Sequence, residues 1–420
     1  MRRRLLWWAA ALVTALVVWR VFAGLIAPLD FGMLWEAGRD IRAGVDPYPP
    51  LGAPDLGTSH QLVYPYFTAL PFLVFGFLPW PVAGAVFFGV SALAVTGAVR
   101  AAGYRDPFAA PLLLLASVTI VGLQIGSLNA LFLLGLVLAW RWRDRPWAPG
   151  IVVGLLVTAK LFLLPVLAWL LLSRRYRAAA AGALTPALLV GAGLLVGPIG
   201  PSDYLELLSR LSAGEQRKGA SPAAWFVAHG VEGLARPVTV VVAVALLGGA
   251  WLLHRRGYDE RLLYAASIAA ALATSPIVWA HYLVLLAAPL LVLHAGRTAL
   301  VWFAASTWVL YLPHGVTVEW LPLAAAVVAA GAWGLHQRVR VLDAVLWAGL
   351  LLAVFARPLG ATPLAAALWA CLCGLWVYRR TAGSVPPGRL GRRDGDDSGR
   401  QGDRGGDQVG ARGPGGEARA

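Results

Sequence analysis

The chain has little charge, little lysine and almost no cysteine. Only 13% of its 420 residues are charged, against about 25% in a typical soluble domain. A soluble fold of this length needs more polar surface than that, which excludes an ordinary cytosolic enzyme. The two cysteines, Cys371 and Cys373, are two residues apart in one apolar run. They can clip nothing together, so a disulfide framework is excluded. No run of His, Cys, Asp or Glu has metal-ligand spacing, and no metal cofactor is expected. Acidic residues number 21 against 35 basic ones, a net charge of +14, and only Lys160 and Lys218 among the basic residues are lysines.

What the chain does have is apolar sequence: 59% of the residues are hydrophobic. Runs fall near 5–27, 81–99, 108–123, 127–140, 147–159, 161–173, 178–197, 237–253, 261–275, 277–294, 298–312, 321–335, 341–356 and 361–378. A span needs about 20 apolar residues, so several runs are short, and 11–14 membrane spans are expected. The pair flanking Lys160 reads as a broken or re-entrant hairpin. Arg clusters separate the runs, for example Arg141/Arg143/Arg145, Arg174/Arg175/Arg177 and Arg379/Arg380. Placing them all in the cytoplasm gives a consistent path with both termini inside. The basic excess therefore marks orientation and contact with anionic lipid, and it is no sign of nucleic acid.

The fold class expected is all-α, a polytopic integral membrane protein. Residues 1–380 form the membrane domain, with external loops over about 29–80 and 197–236. Tyr66–Phe77 is apolar but short, which suits an interfacial or re-entrant helix. From Thr381 onward the chain holds twelve Gly, seven Arg and six acidic residues. Such a tail cannot bury enough apolar surface to offset its entropy, so 381–420 reads as disordered and cytoplasmic. Its Asp394-Gly395-Asp396 matches a nucleotide-sugar motif only by chance of composition.

An ionisable group in an apolar run is costly unless it is paired or lines a wet cavity. Few residues meet that description. Asp30 follows the first span, beside Leu29 and Phe31, where partial desolvation would raise its basicity; an interfacial helix cap is the alternative reading. Lys160, embedded in apolar sequence, must meet an anion, form an ion pair or snorkel outward. Ser275-Pro276-Ile277-Val278-Trp279-Ala280-His281-Tyr282 breaks a helix at the outer face and brings His281 and Trp279 within reach of a ligand. Gln124, Ser127 and Asn129 form a similar polar kink. Carboxylate, cation, histidine, amides and aromatics on one side suit a phosphorylated, lipid-linked carbohydrate. In the loop 197–236, polar residues including Asp203, Arg210 and Trp225 either bind an acceptor or are solvated. His229, His314 and Glu319 carry no motif.

These same residues carry a resemblance. Asp30 is trailed by Trp35-Glu36-Ala37 and Gly44-Val45-Asp46-Pro47-Tyr48. Val63-Tyr64-Pro65, Gly126-Ser127-Leu128-Asn129 and Ala159-Lys160 with Pro165 and Arg174-Arg175-Tyr176-Arg177 follow. Ser275-Pro276…Trp279-Ala280-His281-Tyr282 is the most specific piece. Together they resemble glycosyltransferase family 87, the polyprenyl-phosphate-mannose-dependent mannosyltransferases of actinobacteria, which have the GT-C membrane fold. The resemblance covers about residues 5–300. It implies a multi-pass plasma-membrane enzyme with an extracytoplasmic site and Asp30 as catalytic base. It implies a polyprenyl-phosphate sugar donor and a glycolipid or glycan acceptor. Lys160, His281 and Arg39 would then serve the phosphate, with Trp279, Tyr64 and Asn129 also in the donor site. A transporter or lipid flippase also fits broken helices with intramembrane charges, as does a non-catalytic scaffold. The lack of a convincing internal repeat, and polar groups gathered at one face instead of the midplane, favour the transferase.

Overall fold

The computed structural model describes residues 29–53, 56, 61–215, 219–314, 316, 320–336, 339–355 and 362–382. The expected first span (5–27), Asp55, His60, residues 216–218, Glu319 and the tail from 383 lie outside the described residues. Met1–Ser384 is one compact unit, and Val385–Ala420, the other, is outside the described residues.

All regular structure among the described residues is helical. In chain order the helices are α1 (Leu29–Arg42), α2 (Tyr66–Ala69), α3 (Trp80–Ala101), α4 (Ala109–Leu114), α5 (Ser117–Gln124) and α6 (Asn129–Arg141). Then follow α7 (Ala148–Ala159), α8 (Val166–Leu172), α9 (Tyr176–Val196), α10 (Pro201–Glu215), α11 (Pro222–Ala228) and α12 (Glu232–Arg255). The last six are α13 (Glu260–Thr274), α14 (Ala287–Val292), α15 (Arg297–Leu310), α16 (Leu321–His336), α17 (Val341–Phe355) and α18 (Thr362–Ala382). Among the described residues α3, α9 and α12 are long and apolar enough to cross a membrane alone, at 22, 21 and 24 residues. Most other apolar helices are shorter, α18 with its 21 residues excepted, and several are joined end to end by breaks or 3-10 turns. Exposed Val241, Val244 and Leu252 turn the outside of α12 apolar. That is the surface a lipid solvent demands, with backbone polar groups satisfied inside the helix.

Two segments carry helix that the sequence did not mark out. Within 29–80, the first 14 residues form α1. Phe31, Leu34, Ala37 and Gly38 are the buried face of that helix, a helical spacing set among exposed charges. The last helix, α18, continues to Ala382, with the Thr381 hydroxyl donating to the Val377 carbonyl oxygen. The segment 197–236 contains α10, α11 and the start of α12. Tyr66–Phe77, expected as an interfacial or re-entrant helix, is the four-residue α2 followed by 3-10 turns at Leu70–Leu73 and Phe75–Phe77.

Two packing features hold the site in place. Behind Asp30, the Phe31 ring stacks on Phe87 at 4.5 Å and meets Phe75 edge-on at 5.3 Å. Trp35 Nε1 donates to the Leu78 carbonyl oxygen at 3.2 Å. Behind Lys160, α7 lies against α9 at a crossing made of glycine. A Cβ on Gly150 would fall 1.8 Å from the Ala178 carbonyl oxygen, and one on Gly154 would fall 2.6 Å from Thr185 Cβ. This Gly-x-x-x-Gly face lets two backbones touch, which is how helices associate when lipid supplies no hydrophobic drive. Gly150→Ala should therefore push the pair apart and cost about 1–3 kcal/mol by overpacking. Thermal melts of the purified chain in one detergent would register that loss, and an unchanged midpoint would refute the tight crossing.

Candidate functional site

Three helix breaks converge on one cavity. The first lies between α5 and α6. Gly126 takes φ +68° there, a conformation suited to glycine, and turns the chain so that the Ile125 carbonyl oxygen points away from its own helix. That oxygen accepts the N–H of Asp30 at 2.8 Å. The N–H of Asp30 is thus spent outside its own helix, in the first turn of α1, where the helix dipole favours a carboxylate. The Asp30 side chain is 21% exposed, half-sheltered at the cavity.

The second break is at Lys160. α7 ends at Ala159, and Lys160 is extended with φ −144° and ψ 103° before the turn Leu161–Leu163. Its ammonium is fixed by aromatics. Nζ donates to the Tyr282 hydroxyl at 2.8 Å and lies 4.6 Å from the centre of the Tyr64 ring and 5.3 Å from that of Tyr282. Phe162 stacks on the far side of Tyr282 at 5.3 Å. Cation–π contact holds the charge in place without neutralising it, so an anion can still approach.

The third break follows α13. Ser275 and Trp279 are extended, Ser275 Oγ donates to the Ile277 carbonyl oxygen at 2.6 Å, and a 3-10 turn starts at Ala280. The residues leading into α11 clamp this strand-like stretch: Ser221 Oγ donates to the Pro276 carbonyl oxygen at 2.8 Å, and Ala220 N to that of Val278 at 2.5 Å. The break turns buried His281 toward Asp30, with 3.8 Å between Nε2 and the Asp30 Oδ2. That is too long for a hydrogen bond and close enough for proton sharing once a ligand or water bridges the two.

Asp30, Tyr64, Lys160, Trp279 and His281 all line this cavity, which has a volume of about 1460 Å³. That exceeds the roughly 300–1,000 Å³ of drug-sized pockets and admits a large ligand or two ligands. The other two residues singled out from sequence do not line it. Arg39 stands nine residues down α1 from Asp30, with its guanidinium 4.8 Å from the Trp35 ring centre. Nine residues of helix are about 13.5 Å of rise, so nearness in sequence is distance in space here. Asn129 is buried at the start of α6, where its Nδ2 finds no acceptor.

The cavity also gathers residues the sequence did not single out. Glu232 and Arg236, one turn apart on α12, line its wall with Tyr204 of α10. His314 does too, although its sequence context carries no motif. Gln124 explains its place: Nε2 donates to the His314 carbonyl oxygen at 3.2 Å, and Oε1 accepts the His314 N–H at 3.1 Å. His229, in contrast, donates from Nδ1 to the Trp225 carbonyl oxygen on an exposed face. The Gly44–Tyr48 motif has a supporting part. Gly44 ends α1 with φ +72°, Asp46 Oδ1 accepts the Tyr48 N–H at 2.9 Å, and the Tyr48 hydroxyl donates to the Tyr64 carbonyl oxygen at 2.9 Å. Burial pushes the Tyr48 phenol well above its ordinary range, so it stays a neutral donor.

The sequence matches the family described as glycosyltransferase family 87 over residues 62–278, half of the chain. The chain belongs to that family. It is an all-helical membrane glycosyltransferase, which needs a sugar donor and an acceptor. No curated protein and no solved structure matches it. The matched region contains Tyr64, Asn129 and Lys160. It begins after Asp30 and ends just before Trp279 and His281, so those three enter the site through their geometry.

Proposed function

We propose that this glycosyltransferase moves a sugar, mannose, from a polyprenyl-phosphate donor to the hydroxyl of a lipid- or glycan-linked acceptor. The reaction takes place at the outer face of the plasma membrane and inverts the anomeric centre. The observation that carries the reading is a half-sheltered carboxylate and an aromatic-held ammonium lining one cavity. Asp30 takes the proton of the acceptor hydroxyl as its oxygen attacks the anomeric carbon. The bond from that carbon to the phosphate oxygen breaks, and the electron pair stays on the phosphate. Lys160 lies beside the charge that develops. His281 orients the carboxylate and can relay its proton. Arg236, at the cavity wall, takes the phosphate role that the resemblance suggested for Arg39.

A monophosphate leaving group carries less charge than a nucleoside diphosphate, which fits a single lysine. The reading includes no metal cofactor, and EDTA should leave the rate unchanged. Partly exposed Leu161 and Leu164 at the cavity edge give a prenyl chain an apolar path. The Arg-rich ends of α6, α9 and α18 set the orientation, with the cavity at the other side.

The test offers purified protein labelled polyprenyl-phosphate mannose, polyprenyl-phosphate glucose and a nucleotide-mannose, each with a mixed glycolipid acceptor extract. Product should form from the first donor and not from the nucleotide sugar. Product from the nucleotide sugar alone overturns the donor assignment. Passage of intact donor across liposomes without product would instead favour transport.

A further inference from the structure

A second, smaller cavity lies at the opposite end of the helices that begin at the active site. α6 starts beside the Gly126 turn and ends at Arg141. α3 starts at Trp80, packed on Phe31, and ends at Ala101. Between those far ends is a pocket of about 200 Å³ whose polar lining is Arg141, Arg143, Arg261 and His294.

Helix ends supply the first question, because α3, α6 and α14 all bring C-termini here and a C-terminal pole prefers a cation. Those poles are already satisfied locally. Gly103 N and Tyr104 N donate back to the Arg100 and Val99 carbonyl oxygens, and His294 N and Ala295 N to those of Leu291 and Leu290. Arg141 Nη1 covers the Ala101 carbonyl oxygen at 2.8 Å. The carboxylates nearby are also shared out. Asp144 is 3.6 Å from Arg143 but 3.3 Å from Arg175, and Glu260 is bound to Arg175. Asp259 pairs with Arg261 through Nη1 at 3.1 Å, yet Arg261 Nε is buried with no acceptor. His294 is held at φ +48°, rare for a residue with a side chain, with its ring stacked on Tyr104 at 5.7 Å. A backbone kept in such a region marks a constrained site. The sum is three guanidinium groups with too few carboxylates, an unused buried donor and an accessible imidazole around a small polar space.

We propose that this pocket binds one phosphate group, carried by an anionic phospholipid headgroup or by free phosphate. Guanidinium groups suit phosphate by planar, multiple donation, and a basic pocket between helices at a cytoplasmic membrane face is where lipid headgroups dock. The volume is below that of a pocket for a drug-sized ligand, about 300 Å³ or more, and suits a headgroup. This site is separate from the sugar-transfer cavity and does not depend on the donor assignment.

The test uses the full chain in detergent with equal amounts of phosphatidylglycerol and phosphatidylcholine, read by native mass spectrometry. Wild-type protein should retain one phosphatidylglycerol about tenfold over phosphatidylcholine. Arg143→Gln with Arg261→Gln should bring the ratio to parity, while Arg145→Gln, outside the pocket, should keep it. A second arm titrates inorganic phosphate against chloride at constant ionic strength in phosphatidylcholine micelles. A rise in melting temperature in wild-type protein, lost in the double variant, identifies free phosphate as the source. Absence of both effects overturns the proposal, as does a lipid preference that survives the double substitution. Arg143→Gln alone rests only on Trp140 and Asp144, and it keeps the test in force if the double variant does not fold.

Discussion

Asp30→Asn should abolish measurable sugar transfer while the protein still folds. The substitution keeps the backbone N–H that donates to the Ile125 carbonyl oxygen and keeps the side chain's size, so α1 stays seated on the Phe31 cluster. What it removes is the proton acceptor. General-base catalysis contributes about 10²–10⁴-fold, or roughly 3–5 kcal/mol of barrier. The loss should fall on kcat, with the donor KM within a few-fold of wild type, because the phosphate-binding side of the cavity is untouched. Product formation from labelled donor, with a melting curve as the folding control, measures both. A rate near wild type would remove Asp30 from the chemistry, whatever its place in the cavity.

Lys160→Gln should come second in size. It deletes the charge that the proposed mechanism sets against the departing phosphate, and losing one such group costs about 10²–10³-fold. It also leaves the Tyr282 hydroxyl without its 2.8 Å donor. Tyr282→Phe is the graded companion. It removes one hydrogen bond to a charged group, about 1.5–3 kcal/mol at most, while the ring that backs the ammonium remains. The expected order of rates is wild type, Tyr282→Phe, then Lys160→Gln. If Tyr282→Phe were the more damaging of the two, the ammonium would be a structural prop for the tyrosine and not the group that meets phosphate.

The sequence made the spans and the breaks legible because both are local. Apolar runs bounded by arginine became α3, α6 to α9, α12, α13 and α15 to α18 with shifts of a few residues, and the run 108–123 split into α4 and α5. Proline, glycine and polar residues marked the interruptions at Gly126, Lys160 and Ser275–Trp279. What stayed hidden depends on packing across the chain. α1 reads as a polar loop because Glu36, Arg39, Asp40 and Arg42 outweigh its one buried face. Arg39 looks close to Asp30 only until a helix separates them. His314 gains its place from the side chain of Gln124, a residue 190 positions away. Gly150 and Gly154 look like ordinary residues of an apolar run, and only the partner helix α9 shows why no Cβ fits.

The hydrogen bond from Asp30 to Ile125 has a consequence for how this chain can vary. Connections between helices usually tolerate a change of length, since they lie at the surface. The stretch from Gln124 to Asn129 does not have that freedom. Its carbonyl sets where α1 begins, its glutamine sets where His314 stands, and α6 leaves from its far end. One residue inserted there would turn all three relative to one another. The number of residues across this turn is tied to the position of the carboxylate.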